Sequence, residues 1–166
     1  MKHQTIIGID NGIRGGLCVI SSFDGSVIGY IAMPIKQVGG KSEVDVNLLL
    51  EWIEPYRKSV MICIEEPTKH TKSSQAMRSM SISFGLIVGA CEAKKYDVRR
   101  VQVKEWQNEV LGKKLMKGTT KPVALEVAKK LWPEESWLAT SRSKVPHDGL
   151  IDAALVAFYH YNQTKR

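Results

Sequence analysis

The chain has 166 residues, 43% hydrophobic and 25% charged, which suits one globular domain with a proper core. Lys and Arg number 24 against 17 Asp and Glu, and the resulting charge of +7 suits a polyanionic partner such as nucleic acid. No apolar stretch is long enough to span a membrane, Asp10 breaks the N-terminal segment too early for a secretory signal, and Cys18, Cys63 and Cys91 lack metal or disulfide spacing. The expected setting is therefore reducing, cytoplasmic or organellar, with the three thiols buried in the core.

Thr5-Ile6-Ile7-Gly8-Ile9 runs without polar alternation into Asp10. β-Branched residues in such a run predict a strand covered on both faces that carries Asp10 to its end. A buried strand stopped by an Asp-Asn-Gly turn is the plainer reading of the same residues. Gly16–Ser21 and Val27–Met33 are the second and third strands, and the Asp24-Gly25 turn between them makes a meander. Arg14, in the first turn, is either a phosphate contact or a solvated turn residue. Pro34–Ser42 is expected to be a polar loop with Gly39-Gly40-Lys41 at its tip. Asp45–Tyr56 is a helix, with Leu48, Leu49, Trp52 and Ile53 at helical spacing and Pro55 near its end. Val60–Ile64 is a second continuous apolar run, and it delivers Glu65 as the first delivers Asp10. A helix between two such strands predicts a parallel crossover and an α/β sheet.

Residues 68–74 are polar and basic, with Lys69, His70 and Lys72. Gln75–Tyr96 is a long helix whose Gly85 and Gly89 share a face. That face predicts tight packing on the sheet or a seam between two copies of the helix. Asp97–Val101 is a short strand. Residues 112–121 then hold Lys113, Lys114, Lys117 and Lys121, read as a phosphate-contacting patch rather than a merely solvated loop. Pro122 suits the first position of a helix that runs from Val123 to Trp132, and 134–144 is a loop. The last helix runs to about Tyr161. It opens at Asp152, or at Asp148 with that residue as the cap and His147 before it. Asp148 and Asp152 are four apart and share a face on a continuous helix. Asp152 interrupts a stretch otherwise suited to burial, where an unpaired carboxylate is costly.

Asp10, Glu65 and the Asp148/Asp152 pair with His147 therefore form three acid sites. Carboxylates crowded together repel, and a divalent cation holds them ionised. Oxygen-rich donors suit Mg²⁺ or Mn²⁺. Two such ions about 4 Å apart can activate a water and stabilise a leaving oxygen in phosphodiester cleavage. A basic surface around an acidic centre thus points to a metal-dependent nuclease.

Four motifs carry a family resemblance over nearly the whole length. They are Ile7-Gly8-Ile9-Asp10-Asn11-Gly12, Cys63-Ile64-Glu65-Glu66, Val101-Gln102-Val103-Lys104 before Leu111-Gly112, and His147-Asp148-Gly149-Leu150-Ile151-Asp152-Ala153-Ala154-Leu155. In this order and spacing the chain resembles the RuvC-type Holliday-junction resolvases of the ribonuclease H-like superfamily. The resemblance implies a single domain over 1–166, built on a five-stranded mixed sheet of order 3-2-1-4-5 flanked by helices. It implies a homodimer that cuts opposing strands of a four-way DNA junction with Mg²⁺ or Mn²⁺, leaving 5′-phosphate ends. It places Asp10, Glu65 and Asp152 as catalytic acids, Lys104 beside the scissile phosphate, and Lys121 as a basic residue before the following helix.

Two departures accompany the likeness. Bacterial members often carry an acid three residues before the last Asp, where this chain has Gly149. Asp148 substitutes, or His147 does, as in plant chloroplast members, so both stay candidates. Bacterial members also carry an aromatic shortly after the second acid to wedge the junction, where this chain has Pro67-Thr68-Lys69. Rival readings are a ribonuclease H-like nuclease for other branched DNA or RNA–DNA hybrid, a non-catalytic junction binder, and a small ATP-binding protein of the actin type. The last would need a second phosphate loop, which the sequence lacks.

Overall fold

A computed structural model describes residues 3–67, 73–113, 115–116 and 118–166. Its main sheet has five strands, β1 (Thr5–Asp10), β2 (Gly16–Ser21), β3 (Val27–Ala32), β6 (Val60–Glu65) and β7 (Asp97–Val101), in the order β3-β2-β1-β6-β7. β1, β2 and β3 are antiparallel neighbours, while β6 and β7 run parallel to β1. The expected order 3-2-1-4-5 is therefore present. The numbering differs because a separate hairpin, β4 (Ile35–Val38) and β5 (Lys41–Val44), comes between β3 and β6 in the chain.

That hairpin corrects the expectation of a loop over Pro34–Ser42. Gly39 and Gly40 have φ of 56° and 76°, as a two-residue hairpin turn with left-handed central residues requires. Gly-Gly between two short alternating runs was a legible turn signal. Asp45 follows and caps α1 (Val46–Ile53), its carboxylate accepting from the backbone N–H of Asn47 and Leu48. The helix stops before Pro55, which falls in a 3₁₀ stretch, Glu54–Ser59.

The continuous apolar runs are explained by helices on both faces of the sheet. One face of β1 presents Ile7 and Ile9 to a cluster with Leu49, Ile53, Ile87 and Cys91, from α1 and α2 (Ser74–Ala93). The other presents Ile6 to a cluster with Trp106, Ala128, Ala153 and Ala157, from α3 (Val103–Trp106), α4 (Thr120–Leu131) and α5 (Asp148–Thr164). Cys18, Cys63 and Cys91 are all buried and free. No described helix is long and apolar enough to cross a membrane.

Gly85 and Gly89 do not pack on the sheet. Both lie exposed, and a Cβ at either would meet nothing within 4 Å. Ile82 and Leu86 on the same helix are 48% and 45% exposed, so the tight-packing reading is replaced by an open apolar face. Pro122 is the third residue of α4, not the first; it still lies in the first turn, where its missing N–H has no helical partner to lose.

The glycine that matters for packing is Gly8. A Cβ there would run into the backbone carbonyl of Ala153 and lie 2.7 Å from the Ala157 nitrogen. α5 therefore lies backbone to backbone on β1, which sets Asp152 beside the end of that strand. Gly8→Ala should cost about 1–3 kcal/mol, because neither backbone can yield. Chemical denaturation of the variant checks this, and an unchanged midpoint would disprove the close approach.

Candidate active site

The parallel pairing of β1 and β6, with Ile9 opposite Ile64, brings Asp10 and Glu65 to the same end of the sheet. Asn11, fully buried, ties the two strand ends together: its side-chain N–H donates to the Glu65 carbonyl at 2.5 Å. The Asp10 carboxylate accepts from the Gly12 N–H at 3.3 Å, and Gly15 N–H closes the turn onto the Gly12 carbonyl. α5 begins at Asp148, so Asp148 is its first helical residue and His147 holds the cap position. The helix thus opens at Asp148 rather than Asp152, and the cap is His147 rather than Asp148. The His147 side chain makes no capping bond. Asp152 lies one turn in, on the first-turn face that it shares with Asp148.

The charge of Asp10 reaches both of the other acids. Burial, chiefly, pushes Asp10 up to about 6; the Gly12 N–H and Lys121 oppose the rise. Burial and then the neighbouring Asp10 push Glu65 up to about 8, with Asp152 adding to the rise. Burial, followed by Asp10 and Asp148, pushes Asp152 up to about 7, and Lys121 opposes this. Desolvation with like charges close by is a strong reason for a carboxyl group to keep its proton. It is also the signature of a site built to receive positive charge.

Lys121 supplies part of that charge. Its Nζ sits 2.5 Å from Asp148, and its field acts on both Asp10 and Asp152. Lys104 lies exposed on α3, and no described bond or field brings it to the three acids. Arg14 and Lys113 are exposed, while Lys69, Lys72, Lys114 and Lys117 lie outside the described residues. Two residues without a sequence signal join the site. Asn11 is one. Trp106 is the other, its buried indole N–H donating to Oε2 of Glu65 at 2.7 Å.

The region of the doubtful fourth ligand is also resolved in part. A Cβ on Gly149 would lie 2.5 Å from the Gly15 Cα and 2.6 Å from the Arg14 carbonyl. No side chain fits there without a backbone shift, so Gly149 cannot be exchanged for an acid. Of the two substitutes, Asp148 is half exposed and paired with Lys121. His147 keeps a buried Nδ1 with no partner among the described residues, and its backbone N–H donates to the Trp137 carbonyl. Trp137, fully buried at φ 57° between Tyr30 and Trp132, is thus the anchor of the α5 cap.

Among the described residues no three His, Cys, Asp or Glu side chains converge as a ready-made ion cage. The donor chemistry nevertheless fits a hard divalent cation. Asp10, Glu65 and Asp152 are half-buried carboxyl groups, the last two within reach of the Asp10 charge, and the Oδ1 of Asn11 is buried without a partner among the described residues.

No protein-family model matches the chain, and no curated protein matches it in sequence. Solved structures do. The fold is similar to Thermus thermophilus RuvC in complex with a Holliday junction substrate, with a TM-score of 0.68 and 16% identity over 98% of this chain and 96% of that one. A second T. thermophilus RuvC structure aligns with a TM-score of 0.57 and 15% identity over 97% and 96%. The yeast mitochondrial Holliday junction resolvase Ydc2 aligns with a TM-score of 0.61 and 16% identity over 99% and 81%. At such identities the likeness establishes a shared fold.

Proposed function

We propose that the chain is a structure-selective DNA endonuclease that resolves four-way junctions with Mg²⁺ or Mn²⁺, leaving 5′-phosphate ends. One observation carries the reading: Asp10 bears electrostatically on both Glu65 and Asp152 at one end of the sheet, in a fold whose solved neighbours include Holliday-junction resolvases. Asp10, Glu65 and Asp152 would hold a pair of ions. His147 is favoured over Asp148 as the fourth ligand, because its ring nitrogen is uncommitted and the Asp148 carboxylate is not. When bound, such ions supply neutralisation of phosphoryl oxygens and a more acidic water.

The protein's own residues do the rest. Lys121 stands beside the acids and offsets charge on the phosphate. Lys104, exposed on α3 two residues before Trp106, is a second cation for the scissile phosphate. Arg14 and Lys113, both exposed, would hold the DNA backbone, and Lys69, Lys72, Lys114 and Lys117 remain candidates from sequence alone. The open face of α2, with Ile82, Leu86, Gly85 and Gly89, supports a homodimer, which a junction with two opposed scissile strands demands. Lys121→Ala should weaken junction binding without regard to sequence and lower the log–log salt slope by about 1, as for loss of one phosphate contact. Binding titrations across a salt series measure this; an unchanged slope would remove Lys121 from the interface.

The absence of an aromatic in Pro67-Thr68-Lys69 favours one second reading, a nuclease for branched DNA that need not wedge a crossover. Mg²⁺-dependent cleavage of a synthetic four-way junction, beside a flap and an RNA–DNA hybrid, separates the two. Paired symmetric nicks with 5′-phosphate ends support the resolvase. Unpaired nicks, or preference for the flap or hybrid, demote it to the second reading.

A further inference from the structure

Glu65 ends its strand as a flexible side chain in a buried setting, so something must fix its carboxylate. β7 leads into one turn of helix, α3, and then into a π-helical stretch, Gln107–Leu111, that ends at Gly112 with φ of 101°. Trp106 sits where the helix widens. It is fully buried in the cluster that holds Val101, Leu111, Ala128 and Ala153, so its ring cannot turn away. A large indole in such a core ordinarily needs a partner for its N–H, and here the partner is Oε2 of Glu65 at 2.7 Å. π-Helical turns often mark functional positions.

We propose that Trp106 is a positioning residue for the candidate active site: its indole N–H fixes Oε2 of Glu65 and leaves Oε1 as the oxygen offered to a ligand. The residue type is suited to this task. An indole N–H donates and never accepts, and it carries no charge. A lysine or arginine in its place would hold the carboxylate equally well but would compete with a cation for it. The packed ring also sets the direction of the bond, which a flexible donor could not. Hydrogen-bond partners behind a metal ligand commonly change metal affinity or activity 10- to 100-fold when removed.

The test has two arms, because the metal-binding part rests on the nuclease reading and the Trp106–Glu65 link does not. In the metal-free protein the indole ¹H–¹⁵N signal of Trp106, assigned by its loss in Trp106→Phe, should move when Glu65 is changed to Ala. An unmoved signal would overturn the proposal. In the second arm Mn²⁺ binding is measured by calorimetry for wild type, Trp106→Phe, Glu65→Gln and the double variant. Trp106→Phe alone should weaken binding about tenfold or more, and should add nothing in the Glu65→Gln background, as expected of residues acting through one another. An equal loss in both backgrounds would make Trp106 merely structural and would overturn the inference. Failure of wild type to bind Mn²⁺ would count against the nuclease reading, and the indole signal would still decide the Trp106–Glu65 link.

Discussion

Asp10→Asn should reduce junction cutting by about 1,000-fold or more, leave junction binding intact, and make the metal-free protein more stable. The first two effects follow from the proposed role. An amide brings no negative charge to neutralise a divalent cation, and losing about 4 kcal/mol of transition-state stabilisation is a thousandfold in rate. Binding survives because the basic residues proposed to meet the phosphates are untouched. The third effect follows from the position of Asp10 among the acids. After burial, it is the strongest like charge acting on Glu65 and on Asp152. Its removal relieves both neighbours and leaves a neutral side chain that can still accept from Gly12. A gain of about 1 kcal/mol raises the melting temperature of a chain this size by roughly 2–4 °C. A nicking assay, a gel-shift assay and a thermal melt in EDTA measure the three. Lost cutting with lowered stability would mean that Asp10 is a structural residue. Retained cutting would remove it from the site.

The parts of the site that were legible in the sequence are those in which the local pattern and the tertiary role agree. Ile6, Ile7 and Ile9 mark a strand buried on both faces, and its end fixes where Asp10 must lie. Val60–Ile64 repeats the pattern, and the helix between them forces the parallel pairing that sets Glu65 beside Asp10. Asp152 betrays itself as a charge in an apolar helix. The hairpin at Gly39-Gly40 is hard to read because both strands are only four residues long and Ile35–Val38 is exposed throughout, so a polar loop explains the segment as well. The contact of Gly8 with Ala153, and that of Gly149 with Gly15, join residues far apart in sequence, and a glycine looks the same whether it turns or packs. Trp106 reads as a core residue because it is one; only the direction of its N–H makes it part of the site. Lys104 is placed beside the phosphate by resemblance alone; an exposed position on α3 writes no local pattern that would mark it.

In EDTA the folded protein should lose about 3 kcal/mol of stability between pH 6.5 and pH 8, and Mg²⁺ should restore much of it at the upper end. The sign comes from which state holds more protons. Glu65 and Asp152 have ordinary values of 4.5 and 3.8 and are raised to about 8 and about 7 in the fold. Above pH 6.5 the unfolded chain has already released both protons while the folded chain still holds them. Stability contributed by a raised carboxyl is complete below its unfolded pKa and is lost as pH climbs through the folded value. At about 1.4 kcal/mol per pKa unit, the stretch from 6.5 to about 8 for Glu65 and to about 7 for Asp152 gives the stated fall. His160 works in the opposite direction, because burial and Arg99 hold it down at about 4, so it adds stability as pH rises toward 6.5. Above that value it is neutral in both states, which is why the window begins there. Asp24 and Glu54 are lowered, and their influence is confined to more acidic solution. A divalent cation binds the ionised acids of the folded state and not the dispersed acids of the unfolded one, so its stabilisation should grow as pH rises. Denaturant melts at the two pH values, with EDTA and with Mg²⁺, measure both trends. Glu65→Gln should remove most of the slope, because Glu65 spans the whole window. A slope of the opposite sign in EDTA would mean that the three carboxyls are solvated and far apart, and the case for a shared ion would go with it.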